Sequence, residues 1–267
     1  MRACDLYASI DTLGSVASSD LVEASGLAAS RTTDDVLWSH NDSRGGPLLH
    51  AFSSAGADLG AFEVPGAFAL DWEDIAAGPG PDGSGSFIYI GDMGDNFGIR
   101  GGDITIWRVP DVNPASIDNE FPDAYGFVVT MPDGPYDAEA LFVDPVDRKL
   151  LVATKSSDVT LVFSIDLEPS ESPAPMELVA TLFLDAEVSG ADMSPDGGLI
   201  AFRGYRTVWM WDRLPGESVA DALAREPCEA PSPEERQGEA ITIDDSWSYF
   251  TVSEGSNPDI YFVQARR

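Results

Sequence analysis

The chain has 267 residues, and its 46 acidic against 15 basic residues give a formal net charge of −31. A surface this negative repels phosphate backbones and anionic lipid, so we exclude nucleic-acid binding and membrane insertion. A hydrophobic content of 43% supports a packed core, which excludes a disordered chain.

Short runs of β-branched and aromatic residues recur along the chain, bounded by Gly, Pro, Asp and Ser. In chain order the clearest runs are 36–38, 87–90, 104–107, 150–152 and 208–211. Runs of this length and composition predict strands. Only 217–225 has the composition of a short helix. The sequence therefore predicts an all-β protein.

A short pattern recurs in the sequence: an acidic or polar residue, then Glu or a small residue, then a large aliphatic residue. Its copies start near 23, 71, 137, 189 and 237, and their aliphatic positions are separated by 48, 66, 52 and 48 residues. A turn and further strands follow each copy, as in the four-stranded blades of a β-propeller. We predict one β-propeller domain of five blades over 1–267. A sixth blade within the 66-residue interval is the alternative, and a β-sandwich is a third interpretation.

The two ends of the chain are expected to meet. One strand precedes the first copy of the pattern, and the last copy is followed by too few residues for a complete blade. We expect residues 5–10 to be the outer strand of the last blade, beside residues 259–264, because closure removes a free sheet edge. Cys4 and Cys228 lie 224 positions apart, and a disulfide and two free thiols both remain open.

In a propeller, the starts of the first strands and the ends of the second strands meet on one face. The starts supply Glu23, Asp71, Glu73, Asp137, Glu139 and Glu239, and the ends supply Asn41, Asp42, Asp92, Lys155, Arg203 and Tyr205. Carboxylates crowded into one mouth must be protonated, paired with cations or bound to a metal.

Calcium is the cofactor that these residue types predict, because it accepts about six to eight oxygen ligands in flexible geometry. Two histidines and two distant cysteines argue against zinc. The candidate Ca²⁺ ligands are Glu23, Asp71, Glu73, Asp137, Glu139, Glu239, Asn41 and Asp92. A solvated polar channel without metal remains the alternative.

Eight segments carry a resemblance to a known family: EASGLA, DWEDIAAGP, GDMGDN, PDGPYDAEAL, VATK, SPDGG, QGEAI and VSEG. They resemble a secreted bacterial β-propeller family, largely actinobacterial, that is similar to the esterase-like phytase and SdiA-regulated propellers. The resemblance runs from about Cys4 to Phe262. It implies an extracellular protein with Ca²⁺ under the acidic mouth and with Lys155, Arg203 and Tyr205 facing the substrate. The chain departs from propeller phytases in having few basic residues at the mouth.

Two functions follow. The first is a Ca²⁺-dependent hydrolase of a phosphoester or ester, with Lys155, Arg203, Glu73, Glu239 and Tyr205 as catalytic candidates. Lys155 and Arg203 would hold the anionic group while Glu73 or Glu239 helps to activate water. The second is a non-catalytic propeller that binds a ligand or a protein on the same face. We expect a monomer acting on a small or anionic substrate. No apolar leader is visible, so a cytoplasmic location stays open beside a secreted one.

Overall fold

The computed structural model describes residues 2–42, 45–95, 98 and 100–266. A short 3-10 helix, Ala3–Leu6, and strand β1, Asp11–Ser15, begin the chain. Blade 1 consists of β2 Ala24–Ala29, β3 Leu37–Asn41, β4 Leu48–Phe52 and β5 Asp58–Glu63. Blade 2 consists of β6 Trp72–Pro79, β7 Ser86–Asp92, β8 Asp103–Pro110 and β9 Tyr125–Thr130, with a 3-10 helix at Pro114–Ser116.

Blade 3 begins with β10 Ala138–Asp144, β11 Lys149–Thr154 and β12 Thr160–Asp166. The chain then returns to blade 2, where β13, Ala174–Pro175, pairs in parallel with β9, and β14, Glu177–Leu182, completes blade 3. Blade 4 consists of β15 Gly190–Met193, β16 Leu199–Arg203, β17 Val208–Asp212, the helix α1 Val219–Leu223 and β18 Cys228–Ala230. Blade 5 consists of β19 Gly238–Ile243, β20 Tyr249–Ser253 and β21 Asp259–Val263, joined by β1.

The five sheets form a closed ring. Each inner strand contacts the inner strand of the next blade, in the order β2, β6, β10, β15 and β19, and β19 contacts β2 again. The predicted five-bladed β-propeller is confirmed. The long interval after Ile75 holds the long strands of blade 2 and their connections instead of a sixth blade. The inner strands β2, β10, β15 and β19 are buried along their whole length, because neighbouring blades cover both of their faces.

The N-terminal strand closes blade 5, but it is not the segment that we expected. Strand β1 places Asp11 opposite Phe262 and Ser15 opposite Asp259, whereas residues 7–10 form no strand. The expectation for residues 5–10 was wrong because their apolar side chains serve packing. Tyr7 is buried among residues of blades 4 and 5, and its hydroxyl donates to the Trp247 carbonyl at 2.6 Å. The polar DTLGS segment suits an outer strand with one solvated face.

A disulfide between Cys4 and Cys228 joins the N-terminal 3-10 helix to β18. The Ala3 amide also donates to the Asp212 carboxylate at 2.8 Å. The segment before β1 is therefore attached to blade 4, while β1 itself belongs to blade 5. None of the helices formed by the described residues has the length and apolar character that a bilayer crossing needs.

A buried carboxylate joins the inner strands of three blades. Asp74 of β6 is fully buried and accepts the backbone N–H of Ile75 at 2.8 Å, of Leu141 at 2.9 Å and of Ala191 at 3.1 Å. Its oxygens thus join the inner strands of blades 2, 3 and 4. Burial raises the pKa of Asp74 well above its ordinary value, against the effect of these three donors. This side chain fixes the strand ends that carry the acidic mouth.

Candidate functional site

Three glutamates enter the mouth through β-bulges. In β6, β10 and β19, the register slips by one residue between Trp72 and Asp74, between Ala138 and Ala140, and between Gly238 and Ala240. The extra residues are Glu73, Glu139 and Glu239. A bulge re-aims the side chain of its extra residue out of the regular alternation. All three glutamates are buried, with at most 4% exposure, so their charges lie close to one another in a site that excludes most water.

Asp42, Asp71 and Glu73 form the tightest cluster of carboxylates. Each offers one oxygen, and these oxygens lie within 4.8 Å of one another. The backbone holds the three together, since the Asp42 carbonyl accepts the Trp72 amide at 3.3 Å. One oxygen of Asp42, Oδ1, is buried with no hydrogen-bond partner among the described residues.

The pKa values of the three carboxyls are all raised, as expected for buried acidic groups that lie close together. Burial and the neighbouring charges of Asp71 and Glu139 raise the pKa of Asp42 to about 7. Burial, followed by Glu139, Asp42 and Asp71, raises the pKa of Glu73 well above its ordinary value. Burial also raises the pKa of Asp71, although Arg100 offsets part of this. The cluster is therefore a place where a bound cation would relieve repulsion.

Lys155 provides a positive charge in the mouth. Its Nζ lies 3.0 Å from Glu139 Oε1 and 5.5 Å from the centre of the Tyr205 ring, and its side chain is 19% exposed. Desolvation lowers the pKa of Lys155, but Glu139 and Tyr205 outweigh it and hold the pKa above its ordinary value. Lys155 therefore remains an ammonium that is still reachable from solvent.

Glu239 belongs to β19, the inner strand of blade 5. Its Oε1 accepts a hydrogen bond from Gln237 Nε2 at 2.9 Å, and its Oε2 is buried without a partner among the described residues. Burial raises the pKa of Glu239 to about 8, and the charge of Glu139 adds to this. A carboxyl with such a pKa carries a proton at neutral pH and can exchange it.

Glu23 and Asp137 complete the acidic rim. Both are near enough to shift their neighbours: Glu23 raises the pKa of Asp42 and Glu254, and Asp137 raises the pKa of Asp71 and Glu139, in each case after the larger effect of burial. Asp137 Oδ1 also accepts the Asp95 amide at 2.9 Å.

Asn41 and Asp92 were predicted as Ca²⁺ ligands, but their side chains hold the backbone. Asn41 Oδ1 accepts the amides of Val22 and Glu23, both at 2.9 Å. Asp92 occupies the equivalent place in blade 2 and accepts the amides of Leu70 and Asp71, at 3.1 and 3.2 Å. Each caps the turn that leads into an inner strand. Asp92 is further occupied by an ion pair with Arg100.

Arg203 was expected to face the substrate, and the structure places it elsewhere. Its side chain is fully buried and forms an ion pair with Glu235, while Nη1 donates to Ser232 Oγ at 2.6 Å. The guanidinium fills the space that a side chain at Gly238 would need. Arg203 therefore joins blade 4 to blade 5, and it has no exposed atom with which to contact a ligand.

Among known proteins, similarity is found with solved structures. No protein-family model and no curated protein sequence matches the chain. Among solved structures, the PQQ-bound aldose sugar dehydrogenase from Streptomyces coelicolor is 14% identical, with 96% of this chain and 98% of that chain covered and a TM-score of 0.49. A gluconolactonase from Xanthomonas campestris is also 14% identical, with 96% and 89% covered and a TM-score of 0.48. The order of the sheets shows the fold directly. The protein is a five-bladed β-propeller.

Asp42 was predicted to lie at the mouth but was not among the predicted Ca²⁺ ligands, although it directly follows Asn41 at the end of β3. Two further residues were not predicted: Gln237, which orients Glu239, and Arg100, which neutralises Asp92. The position within the repeat correctly identified the strand ends that lie at the mouth. The β-bulges determine which side chains of these strands come together there.

Proposed function

We propose that this propeller is a Ca²⁺-dependent hydrolase that cleaves a phosphoester or ester bound in the acidic mouth. The observation that carries the proposal is the cluster of Asp42, Asp71 and Glu73, with one oxygen of each within 4.8 Å of the others. The donors are all carboxylate oxygens, which suits a hard cation such as Ca²⁺ and does not suit zinc. The unpartnered Oδ1 of Asp42 fits the same assignment.

Asp42, Asp71 and Glu73 would hold the cation, with Glu23 and Asp137 adding negative charge at the rim. Bound there, Ca²⁺ would polarise a phosphoryl or carbonyl oxygen and lower the pKa of a bound water. Lys155 would bind an anionic oxygen of the substrate, and Tyr205 flanks it on one side. Glu139 keeps Lys155 charged and fixes its position through their 3.0 Å contact.

Glu239 would supply the proton. With its pKa raised to about 8, the carboxyl is mostly protonated at neutral pH, which suits a general acid that donates to the departing oxygen. Gln237 donates to Oε1, so the buried Oε2, which has no partner among the described residues, would carry the proton. Once deprotonated, the same oxygen can accept a proton from water.

We also propose that the protein is secreted and acts as a monomer. The disulfide between Cys4 and Cys228 supports the first part, because structural disulfides persist mainly in oxidising compartments.

The test is a panel of phosphate monoesters, phosphate diesters, carboxylic esters and lactones, assayed with Ca²⁺ and with chelator. We expect Ca²⁺-dependent turnover in at least one class, with a loss of about two to four orders of magnitude for Glu239→Gln. Lys155→Met should mainly raise KM, and Glu229→Gln on the exposed side of β18 is the matched control. Ca²⁺ binding without turnover on any ester would contradict the hydrolase and favour the ligand-binding alternative.

A further inference from the structure

A second pocket opens on the mouth face between blades 4 and 5. Two loops form it, the β16–β17 loop and the β18–β19 loop, and they are joined by a hydrogen bond from the Gly238 amide to the Tyr205 carbonyl at 3.4 Å. Its volume is about 490 Å³, which is large enough for a small ligand. The lining residues are Arg206, Ser232, Pro233, Glu234, Glu235 and Arg236.

Two arginines bring positive charge to this pocket. Arg206 and Arg236 are both exposed, and neither forms an ion pair or a side-chain hydrogen bond within the part of the chain that the structure describes. Glu235 is already paired with the buried Arg203. Two arginines and Glu234 remain, so the pocket has a net positive charge on a protein whose formal charge is −31.

Ion pairs occupy about half of the basic residues of this chain. Of its 15 basic residues, eight form ion pairs in the described part: Arg31, Arg100, Arg108, Lys149, Lys155, Arg203, Arg213 and Arg225. Arg206 and Arg236 are set apart by lining the same pocket. Two guanidinium groups at one site suit a bound oxyanion, because each planar guanidinium can match it with two parallel hydrogen bonds.

We propose that this blade 4–5 arginine pocket binds an oxyanion group, a carboxylate or a phosphoryl group, carried by the molecule whose other end enters the mouth. Both arginines are neighbours in sequence of residues at the mouth. Arg206 follows Tyr205, whose ring lies beside Lys155, and Arg236 precedes Gln237, which donates to Glu239. The inference rests on the proposed function for the mouth, and it adds that the substrate has a second anionic group.

Binding of the anion is measured without metal, so that it does not depend on turnover. Inorganic phosphate and citrate are titrated calorimetrically into the full chain in EDTA, for the wild type, Arg206→Gln, Arg236→Gln and the double variant. The control is Arg148→Gln, an exposed arginine in the β10–β11 turn. We expect saturable binding that weakens about tenfold in each single variant, disappears in the double variant and is unchanged in the control.

The two probes separate the sources of the oxyanion. Tighter binding of phosphate assigns a phosphoryl group, and tighter binding of citrate assigns a carboxylate. Absence of saturable binding for both probes, or equal binding by the wild type and the double variant, would overturn the proposal that this pocket binds an oxyanion.

Failure of the pocket and failure of the hydrolase give different results. If the pocket binds anions but no ester is cleaved, the hydrolase is wrong and the pocket stands. If an ester is cleaved and the double variant has the wild-type KM and no change in anion binding, the pocket is wrong and the hydrolase stands. If both are correct, the double variant raises KM and leaves kcat nearly unchanged.

Discussion

Replacing Glu239 by Gln should stabilise the metal-free protein at high pH and leave it unchanged at low pH. Burial raises the pKa of Glu239 from its ordinary value of 4.5 to about 8. The folded state therefore binds a proton that the unfolded state has released, and stability falls as the pH rises through this window. The contribution of Glu239 is fully present below about 4.5 and lost above about 8.

The size of the effect follows from the shift. One pKa unit corresponds to about 1.4 kcal/mol, so a carboxyl that must ionise in this site costs at most about 5 kcal/mol above its folded pKa. Relaxation and water entry reduce this, and we expect a gain of about 2–5 kcal/mol for Glu239→Gln at alkaline pH. The amide keeps the oxygen that accepts from Gln237, so the variant resembles the protonated carboxyl.

The assay is urea unfolding in chelator at about pH 5 and about pH 9. Glu229→Gln, on an exposed position of β18, is the control and should change stability by less than about 0.5 kcal/mol at both values. Two results would refute the prediction that ionised Glu239 destabilises the folded state. One is a gain in stability for Glu239→Gln that is equal at the two pH values, and the other is a variant less stable than the wild type at the higher pH.

Two further predictions concern the ring. Asp74→Ala leaves three buried amides without an acceptor and should destabilise the protein by about 3 kcal/mol or more in denaturant unfolding. Asp118→Ala, at an exposed position, is the control and should have little effect. Similar losses for the two variants would be inconsistent with a carboxylate that joins three blades. Cys4→Ser with Cys228→Ser opens a loop of 224 positions and should cost up to about 5 kcal/mol, measured as a lower melting temperature that reducing agent no longer changes. A melting temperature equal to that of the oxidised wild type would contradict it.

The repeat made the fold predictable. Leu27, Ile75, Leu141 and Ile241 are each fully buried on an inner strand, so the spacing of one aliphatic position reports the spacing of the blades. The closing strand was harder to place, because an outer strand has a solvated face and needs no apolar pattern. Residues 5–10 have the better strand composition, yet Tyr7 is used for packing between blades.

The site was predictable in its location and less so in its members. The repeat places acidic residues at the mouth, but the bulges at Glu73, Glu139 and Glu239 depend on the pairing of whole strands, which the sequence does not display. Arg203 was predicted to face the mouth, but its side chain is buried elsewhere. Blade 4 has a regular register at its inner strand, and Arg203 turns toward the space above Gly238, where Glu235 neutralises it.

The most direct test of the acidic mouth is a calorimetric titration of Ca²⁺ into metal-free protein, with the melting temperature followed in parallel. We expect saturable binding and a melting temperature that rises with Ca²⁺, because the cation binds only the folded mouth. Asp42→Asn removes one of the three clustered carboxylates and should weaken binding by about tenfold or more, while Glu229→Gln should bind as the wild type does. No heat of binding and identical melting curves in chelator and in millimolar Ca²⁺ would contradict a calcium site at Asp42, Asp71 and Glu73.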